Sequence, residues 1–557
     1  SYSSIIRESE DFGAAIIDEQ ARQLCEAKQS TPLQSGPIPG YIRGIQRQLA
    51  ERGDSIRPGD VLIHNDPYGG ASHGPDVAFV VPVFLDDELV GYSVTTAHHL
   101  DIGAHTPGSG GIVDAIDCYA EGVQFKSIKV YEEGSPNKQV WQMIRDNIRM
   151  SDVVVGDMEA QVAAARIGAE RYLDVIKRYG LAEFRAATEA MLDNSERLMR
   201  RAIAEVPDGD YAATTFVDGF LDDDNPTRRE LPIAVTVKVR GDEMTVDLTG
   251  TAPQVPDRPI NMPFEGTTDC AVWLAIRSVL LDTAVHGDIP HNSGLIRPIK
   301  IVAPKGCLAN PIFPAPVIAR YVQGIQLADS IVKALSQVVP TQTCAGVGNG
   351  GGMVFGGNTD EGDLWIHVEL FEGSYGGRYG RDGMDAVDVL YANTRNNPIE
   401  DIESHVPLRI DRYELRDDAC AAGQWRGGIG TIKEFSYLND GSSSLESDGT
   451  GFAPWGFDGG GEGRTRQMWF EPKAGERRDL PSKFSFLTYA AEPGDRFVAV
   501  GPCGGGYGDP FERDPEQVLE DVLDGYVSIE RALSEFGVAI KPDMTIDQPA
   551  TDKARAA

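Results

Sequence analysis

The sequence predicts an α+β protein of several units, on three observations. Residues 1–150 carry short β-branched runs with a period of two, the signature of strands. Residues 152–205 form the one strongly helical tract. From about residue 345 glycine dominates, as in short strands joined by tight turns. With 557 residues, 41% hydrophobic and 24% charged, the chain is long enough for about three domains without covalent staples.

Taken in order, "FGAAIIDEQARQLCEA" is two apolar runs around a turn, a hairpin. "PIPGYIRGIQRQLAERG" spaces Ile42, Ile45 and Leu49 along one face of a helix that stops at Gly53. "DVLIHND" is a short strand entering a loop. Together these make a β-rich region over 1–150. "DMEAQVAAARIGAERYLDVIKRYG" and "LAEFRAATEAMLDNSERLMRRAIAEV" are helices that stop at Gly180 and before Pro207. Residues 151–206 are therefore a helical hairpin, expected to act as a structural spacer. In a mixed region over 207–345, "LPIAVTVKVRGDEMTVDLTGT" turns around "RGDE" and "TTDCAVWLAIRSVLL" is a buried helix. There "PIKIVAPKG" is a strand and "RYVQGIQLADSIVKALSQVVP" an amphipathic helix. Residues 346–512 are a Gly-rich β domain. Its "GNGGGMVFGG" has no Lys after the glycines and is a turn-rich connection, not a phosphate loop. "DPEQVLEDVLDGYVSIERALSEFGVAI" caps the chain with helices over 513–540, and 541–557 is expected to be a disordered tail.

The formal charge is −34. So acidic a surface repels phosphate backbones and anionic lipid, so neither nucleic acid nor a membrane is an expected partner. The seven cysteines are scattered and form no CxxC pair, which argues against a thiolate zinc site or a redox dithiol. They fit reduced thiols in a cytoplasm. No apolar run approaches the ~18 residues of a membrane span, and "SYSSIIRESEDFG" does not read as a signal peptide. A soluble cytoplasmic protein is expected. No GxxxxGK[ST] or HExxH occurs.

Histidine is the feature that points to chemistry. Of nine in the chain, five lie in one stretch: His64, His73, His98, His99 and His105, with Asp66, Asp76, Asp86, Asp87 and Asp101 close by. Val77 to Phe84 and Leu89 to Thr96 are apolar runs separated by "LDDE", a hairpin. With the turn centred on residue 87, Asp76 and His98 are equally far from it and should face each other across the open end. His73, three residues upstream in a Gly-rich loop, can bend back toward them. His73, Asp76 and His98 are thus a candidate set of metal ligands, of a kind that suits zinc, manganese or iron. Histidines beside acids are also commonly surface pairs, so the assignment rests on the hairpin geometry of all three. His99 points to the other face of the strand, because side chains alternate. Asp101 is a candidate acceptor for a ligand's free ring N–H.

Four stretches carry a resemblance: "GDVLIHNDPYGGASHGPDVAFVVPVF", "TTAHHLDIGAHTPGS", "NTRNNPIEDIESHVPLRIDRYELRDDACAAGQWRGGIG" and "GPCGGGYGDPFERDPEQVLEDVLDG". They resemble the hydantoinase B family, the β subunit of ATP-dependent N-methylhydantoinase-type enzymes. The chain is also similar to the C-terminal part of 5-oxoprolinases, to the metal subunit of caprolactamase and, more distantly, to subunits of acetone and acetophenone carboxylases. The family's metal motif falls on His73, Asp76 and His98. The resemblance adds Asp11, the acid of "SEDFG", where Gly13 replaces the family's Ser. It implies a divalent metal, zinc or manganese, and ATP bound by a separate α subunit of hydantoinase A type in an (αβ)2 assembly. It also implies ring opening of a small cyclic amide whose carbonyl is activated by ATP. The metal would lower the pKa of water or grip an oxygen as a Lewis acid. Asp101 and His99 are the candidates for orienting a ligand or moving a proton. The alternatives are a carboxylase subunit and a non-catalytic scaffold for an ATPase.

Overall fold

The computed structural model describes residues 2–286, 289–486 and 488–556. Strands β1 (Phe12–Asp18), β2 (Gln23–Glu26), β3 (Val61–His64), β4 (Asp76–Leu85), β5 (Glu88–His98), β6 (Ile128–Glu132) and β7 (Ser135–Pro136) form one sheet. Their spatial order is β2-β1-β5-β4-β3-β6-β7, and each neighbouring pair is antiparallel. Between β2 and β3 lie a one-turn helix, α1 (Pro32–Ser35), and α2 (Ile38–Arg52). Gly53 ends α2 in the left-handed conformation, at φ 71.

Alternation along β4 and β5 gives the sheet two apolar faces. Ala78, Val80, Tyr92 and Val94 pack on Ile42 and Ile45 of α2. Val77, Phe79 and Val81 pack on the opposite side, against Val154, Met158 and Val162 of α3 (Ser151–Tyr179). Cover on both faces explains why β4 reads as an unbroken apolar run. Helix α4 (Leu181–Ala204) completes the expected hairpin with α3. The pair is not a spacer, however. Gln161 of α3 donates to the Val77 carbonyl at 3.1 Å, and the Gln161 carbonyl accepts from Thr95 Oγ1 at 3.2 Å, so the helix closes the back of the sheet.

Strands β8 (Gly209–Gly219), β9 (Arg229–Arg240), β10 (Glu243–Asp247) and β11 (Ile299–Val302) make a second sheet in the order β11-β10-β9-β8. Helices α5 (Asp269–Leu280) and α6 (Tyr321–Ser336) share its core, in which Ile276, Ile325 and Ile331 meet Ile233, Val235 and Val237. The glycine-rich half holds β12 (Gly351–Asn358), β13 (Leu364–Phe371), β14 (Leu408–Leu415), β15 (Thr431–Tyr437) and β16 (Gly441–Ser447). It continues with β17 (Gln467–Glu471), β18 (Arg478–Asp479), β19 (Lys483–Phe484), β20 (Ala490–Ala491) and β21 (Arg496–Val500). These divide into two five-stranded sheets, β13-β12-β16-β19 with β20 beside β16, and β14-β15-β21-β17-β18. Phe355, Phe371, Phe435 and Phe497 fill the space between them. Glycine is needed here for backbone approach: a Cβ at Gly427 would lie 2.0 Å from the Gly504 carbonyl oxygen.

Helices α7 (Pro515–Leu523) and α8 (Ile529–Phe536) form the expected cap. The segment 541–557, expected to be disordered, instead carries helix α9 (Gln548–Arg555). Arg555 ties it down by donating to the Arg513 carbonyl at 2.6 Å. Mixed helix and sheet in several layers is the α+β class. Among the described residues no helix is long and apolar enough to cross a membrane.

Candidate metal centre

The β4–β5 turn consists of Asp86 and Asp87, with Leu85 paired to Glu88 and Asp86 left-handed at φ 55. A two-residue turn alone would set Asp76 against Ala97. A register shift between Val83 and Phe84 adds one residue to the β5 side, and Asp76 pairs with His98. On the other side of β5, the His98 amide donates to the Asp11 carbonyl at 3.1 Å, one step beyond the Phe12–Ala97 pair. Asp11, His98 and Asp76 therefore form a row across three strand ends, on the α2 face of the sheet.

His73 enters from the loop before β4. Its Nε2 lies 3.2 Å from Asp76 Oδ1 and 3.3 Å from His98 Nδ1. His98 Nδ1 lies 3.1 Å from the same carboxylate oxygen. The three are buried, and their ligand atoms fall within 4.8 Å of one another, a group that could hold a metal ion. Asp11 Oδ2 is 4.0 Å from His98 Nδ1, at the edge of this set. Its Oδ1 accepts from Thr31 at 3.2 Å.

The proton positions show why a cation fits. His73 Nδ1 is 2.9 Å from the Ile318 carbonyl, which can only accept, so that nitrogen carries the proton. In the neutral ring Nε2 then bears a lone pair, aimed at the Asp76 carboxylate and at His98. Burial, with the Arg320 charge beside it, pushes the His73 pKa down to about 4, so the neutral ring prevails near neutral pH. Burial alone would lift the Asp76 carboxyl. The Arg320 guanidinium, 2.9 Å from Oδ2, opposes that and holds it below the usual carboxylate range. Two nitrogens and an anionic oxygen thus converge with one proton at most between them. A divalent cation satisfies all three at once.

The surrounding groups fix these side chains in place. Arg320, at the start of α6, donates to Asp76 Oδ2 at 2.9 Å, and Ser72 donates to the same oxygen. Gln34 of α1 donates to Asp76 Oδ1 at 2.7 Å. Ser109 Oγ meets His98 Nε2 at 2.9 Å. A Cβ at Gly13 would sit 3.0 Å from Gln34 Cβ, so glycine there lets α1 approach. Sequence reasoning missed Arg320, Gln34, Ser72 and Ser109. Only Arg320 left a signal, as a charge inside the apolar "PAPVIARYVQGIQLA".

Two expectations need correction. Asp101 does not accept from a ligand imidazole: its oxygens accept from the Gly103, Gly108 and Arg149 amides at 2.8–3.1 Å and from the Arg149 guanidinium at 3.2 Å. It holds the loop that ends at Ser109. His99, on the opposite face as alternation requires, lies 2.8 Å from Gln161 Oε1 of α3 and takes no place in the cluster. Burial pushes its pKa down to about 4. His64 bonds the Gly69 carbonyl and His105 pairs with Asp114, so neither joins the cluster.

The sequence profile of the family described as Hydantoinase B/oxoprolinase matches residues 1–510. A protein from Pseudomonas sp. (strain NS671), named as the B component of a D-/L-hydantoinase, is 59% identical over all of this chain and 93% of its own length. The β subunit of the Pseudomonas jessenii caprolactamase is 32% identical, over the whole chain and 95% of that protein. The crystal structure of ATP-dependent caprolactamase from Pseudomonas jessenii superposes with a TM-score of 0.87 at 29% identity, covering 99% of this chain and 94% of that one. A nucleotide-free acetone carboxylase structure shares the fold, with a TM-score of 0.88 at 18% identity, covering 100% of this chain and 79% of that one.

Proposed function

The chain belongs to the hydantoinase B/oxoprolinase family, and from that premise we propose that it is the metal-holding β subunit of an ATP-dependent cyclic amide hydrolase. The observation that carries this reading is the burial and convergence of His73 Nε2, Asp76 Oδ1 and His98 Nδ1, within 4.8 Å of one another and with one proton at most between them. His73, Asp76 and His98 would hold a divalent ion, zinc or manganese, with Asp11 as a fourth ligand. When bound, the ion supplies Lewis acidity toward an oxygen of the reacting group.

The chain's own residues set the stage for that chemistry. The Ile318 carbonyl fixes the His73 tautomer, and Ser109 orients the His98 ring. Arg320 keeps Asp76 ionised and in position. Asp101 acts at one remove, through the loop that presents Ser109. An unstrained cyclic amide resists water because its nitrogen lone pair is delocalised into the carbonyl. ATP on a partner subunit of hydantoinase A type activates that carbonyl, and this chain opens the ring in an (αβ)2 assembly.

His73→Ala and His98→Ala test the reading. Each should lose bound metal, measured on the purified chain, and ATP-coupled turnover once the partner is supplied. Both variants should melt as folded proteins. Stoichiometric metal in both would overturn the ligand assignment.

A further inference from the structure

Residues 314–320 run without helix or strand, yet they bring two groups to the candidate metal centre. The Ile318 carbonyl meets His73 Nδ1, and the Arg320 guanidinium meets Asp76. A buried segment with no ladder of its own must have its peptide groups satisfied from elsewhere. The Cys118 amide donates to the Pro314 carbonyl at 3.0 Å, and the Tyr68 hydroxyl donates to the Ala315 carbonyl at 2.8 Å. Asn261 Nδ2 donates to the Pro316 carbonyl at 2.8 Å. The Ala319 amide donates to the Pro259 carbonyl at 2.9 Å.

One side chain takes two of these peptide groups. Glu121 Oε1 accepts from the Ile318 amide at 2.7 Å and from the Val317 amide beside it. These are the two N–H groups that immediately precede the Ile318 carbonyl in the chain. Glu121 stands at the end of the short turn Cys118–Glu121 and is 4% exposed. Burial pushes its carboxyl up to about 8, with the two amides opposing. Near neutral pH it is therefore mostly the neutral acid. What it offers the segment is an acceptor at a fixed reach rather than a charge.

We infer that Glu121 is a positioning residue of the metal centre: through the Val317 and Ile318 amides it holds the Ile318 carbonyl against His73 Nδ1. The His73 proton then stays on Nδ1, and the Nε2 lone pair stays turned toward Asp76 and His98. The inference rests on the metal reading of the site and extends it to a residue that reaches the centre only through backbone.

The tautomer of His73 tests this. It is read in the metal-free full chain by nitrogen-15 NMR with labelled histidine, the His73 signals being identified by their loss in His73→Ala. The wild type should carry the proton on Nδ1. Glu121→Gln keeps an acceptor at the same reach, so it should keep that tautomer and a zinc affinity close to wild type. Glu121→Leu removes the acceptor, and Glu121→Asp withdraws it by one methylene. Each should let the proton redistribute between the two ring nitrogens and weaken zinc by about tenfold or more in equilibrium dialysis. If Glu121→Leu does not fold, Glu121→Asp decides alone. An unchanged tautomer or a wild-type zinc affinity in Glu121→Asp would overturn the inference, as would a redistributed proton in Glu121→Gln. The tautomer is read without metal, so a wild-type chain that binds no zinc would sink the metal reading and leave the hold of Glu121 on His73 separately tested.

Discussion

Asp11 decides whether the centre holds the metal with three ligands or four. Burial pushes its carboxyl up to about 6, with the Asp76 charge adding and His98 opposing. A metal that binds Asp11 must displace that proton whenever the pH is below about 6. Affinity should then fall as pH drops through 6, by up to about tenfold per unit for the one proton. His73 adds a second proton only near pH 4. Asp11→Asn removes the Asp11 step: its affinity should be lower than wild type at pH 7 and fall less steeply than wild type between about pH 6 and 5. Equilibrium dialysis with zinc or manganese over pH 4.5 to 7.5 reads both curves, and parallel curves would exclude Asp11 as a ligand. At the same scale, Ser109→Ala should weaken metal binding by about 10–100-fold, because His98 loses the group that fixes its ring. The pairing of Asp76 with His98 was legible in the sequence because hairpin pairing is local arithmetic. Arg320 and Ser109 were not, since each reaches the site through loops whose paths no periodicity encodes.

The loop that carries His73 is placed by two glycines on facing elements. Gly44 lies in the middle of α2, and a Cβ there would fall 1.6 Å from the Gly69 carbonyl oxygen. That contact is to backbone, so no side chain can turn aside to relieve it. Gly44→Ala should therefore push residues 65–75 off the helix, at a cost of about 1–3 kcal/mol. The melting temperature should fall and bound metal with it, although residue 44 touches no ligand. Unchanged metal content in a destabilised variant would show that His73 is held from elsewhere. The β4–β5 hairpin shows how an element can be read correctly for an incomplete reason. A turn centred on residue 87 gave the right Asp76–His98 pair. Its physical centre lies half a residue earlier, and the irregularity at Val83–Phe84 restores the register. Helices α3 and α4 were legible in extent but not in role. Amphipathic spacing shows that a face is buried, not what buries it: for α3 it is the sheet behind His99, and for α4 the core of the second sheet.

At the scale of the whole molecule the sheets were only partly legible. β1 pairs with β5 across some seventy intervening residues, and no local pattern announces such a partner. The fold in turn does not settle the reaction. An acetone carboxylase chain superposes with a TM-score of 0.88 at only 18% identity, so one architecture serves more than one chemistry. What separates the outcomes is the fate of the activated carbonyl. In a hydrolase, water supplies the incoming oxygen and the ring opens with no carbon gained. In a carboxylase, a carbon from bicarbonate enters the product. Supplied with the proposed ATP-binding partner, the chain should therefore consume ATP with a cyclic amide and yield a ring-opened acid. With labelled bicarbonate present, the label should remain in the inorganic pool. The His98→Ala variant should form no ring-opened product under the same conditions. Label recovered in an acid-stable organic product would instead assign the centre to carbon–carbon bond formation, with the same residues doing different work.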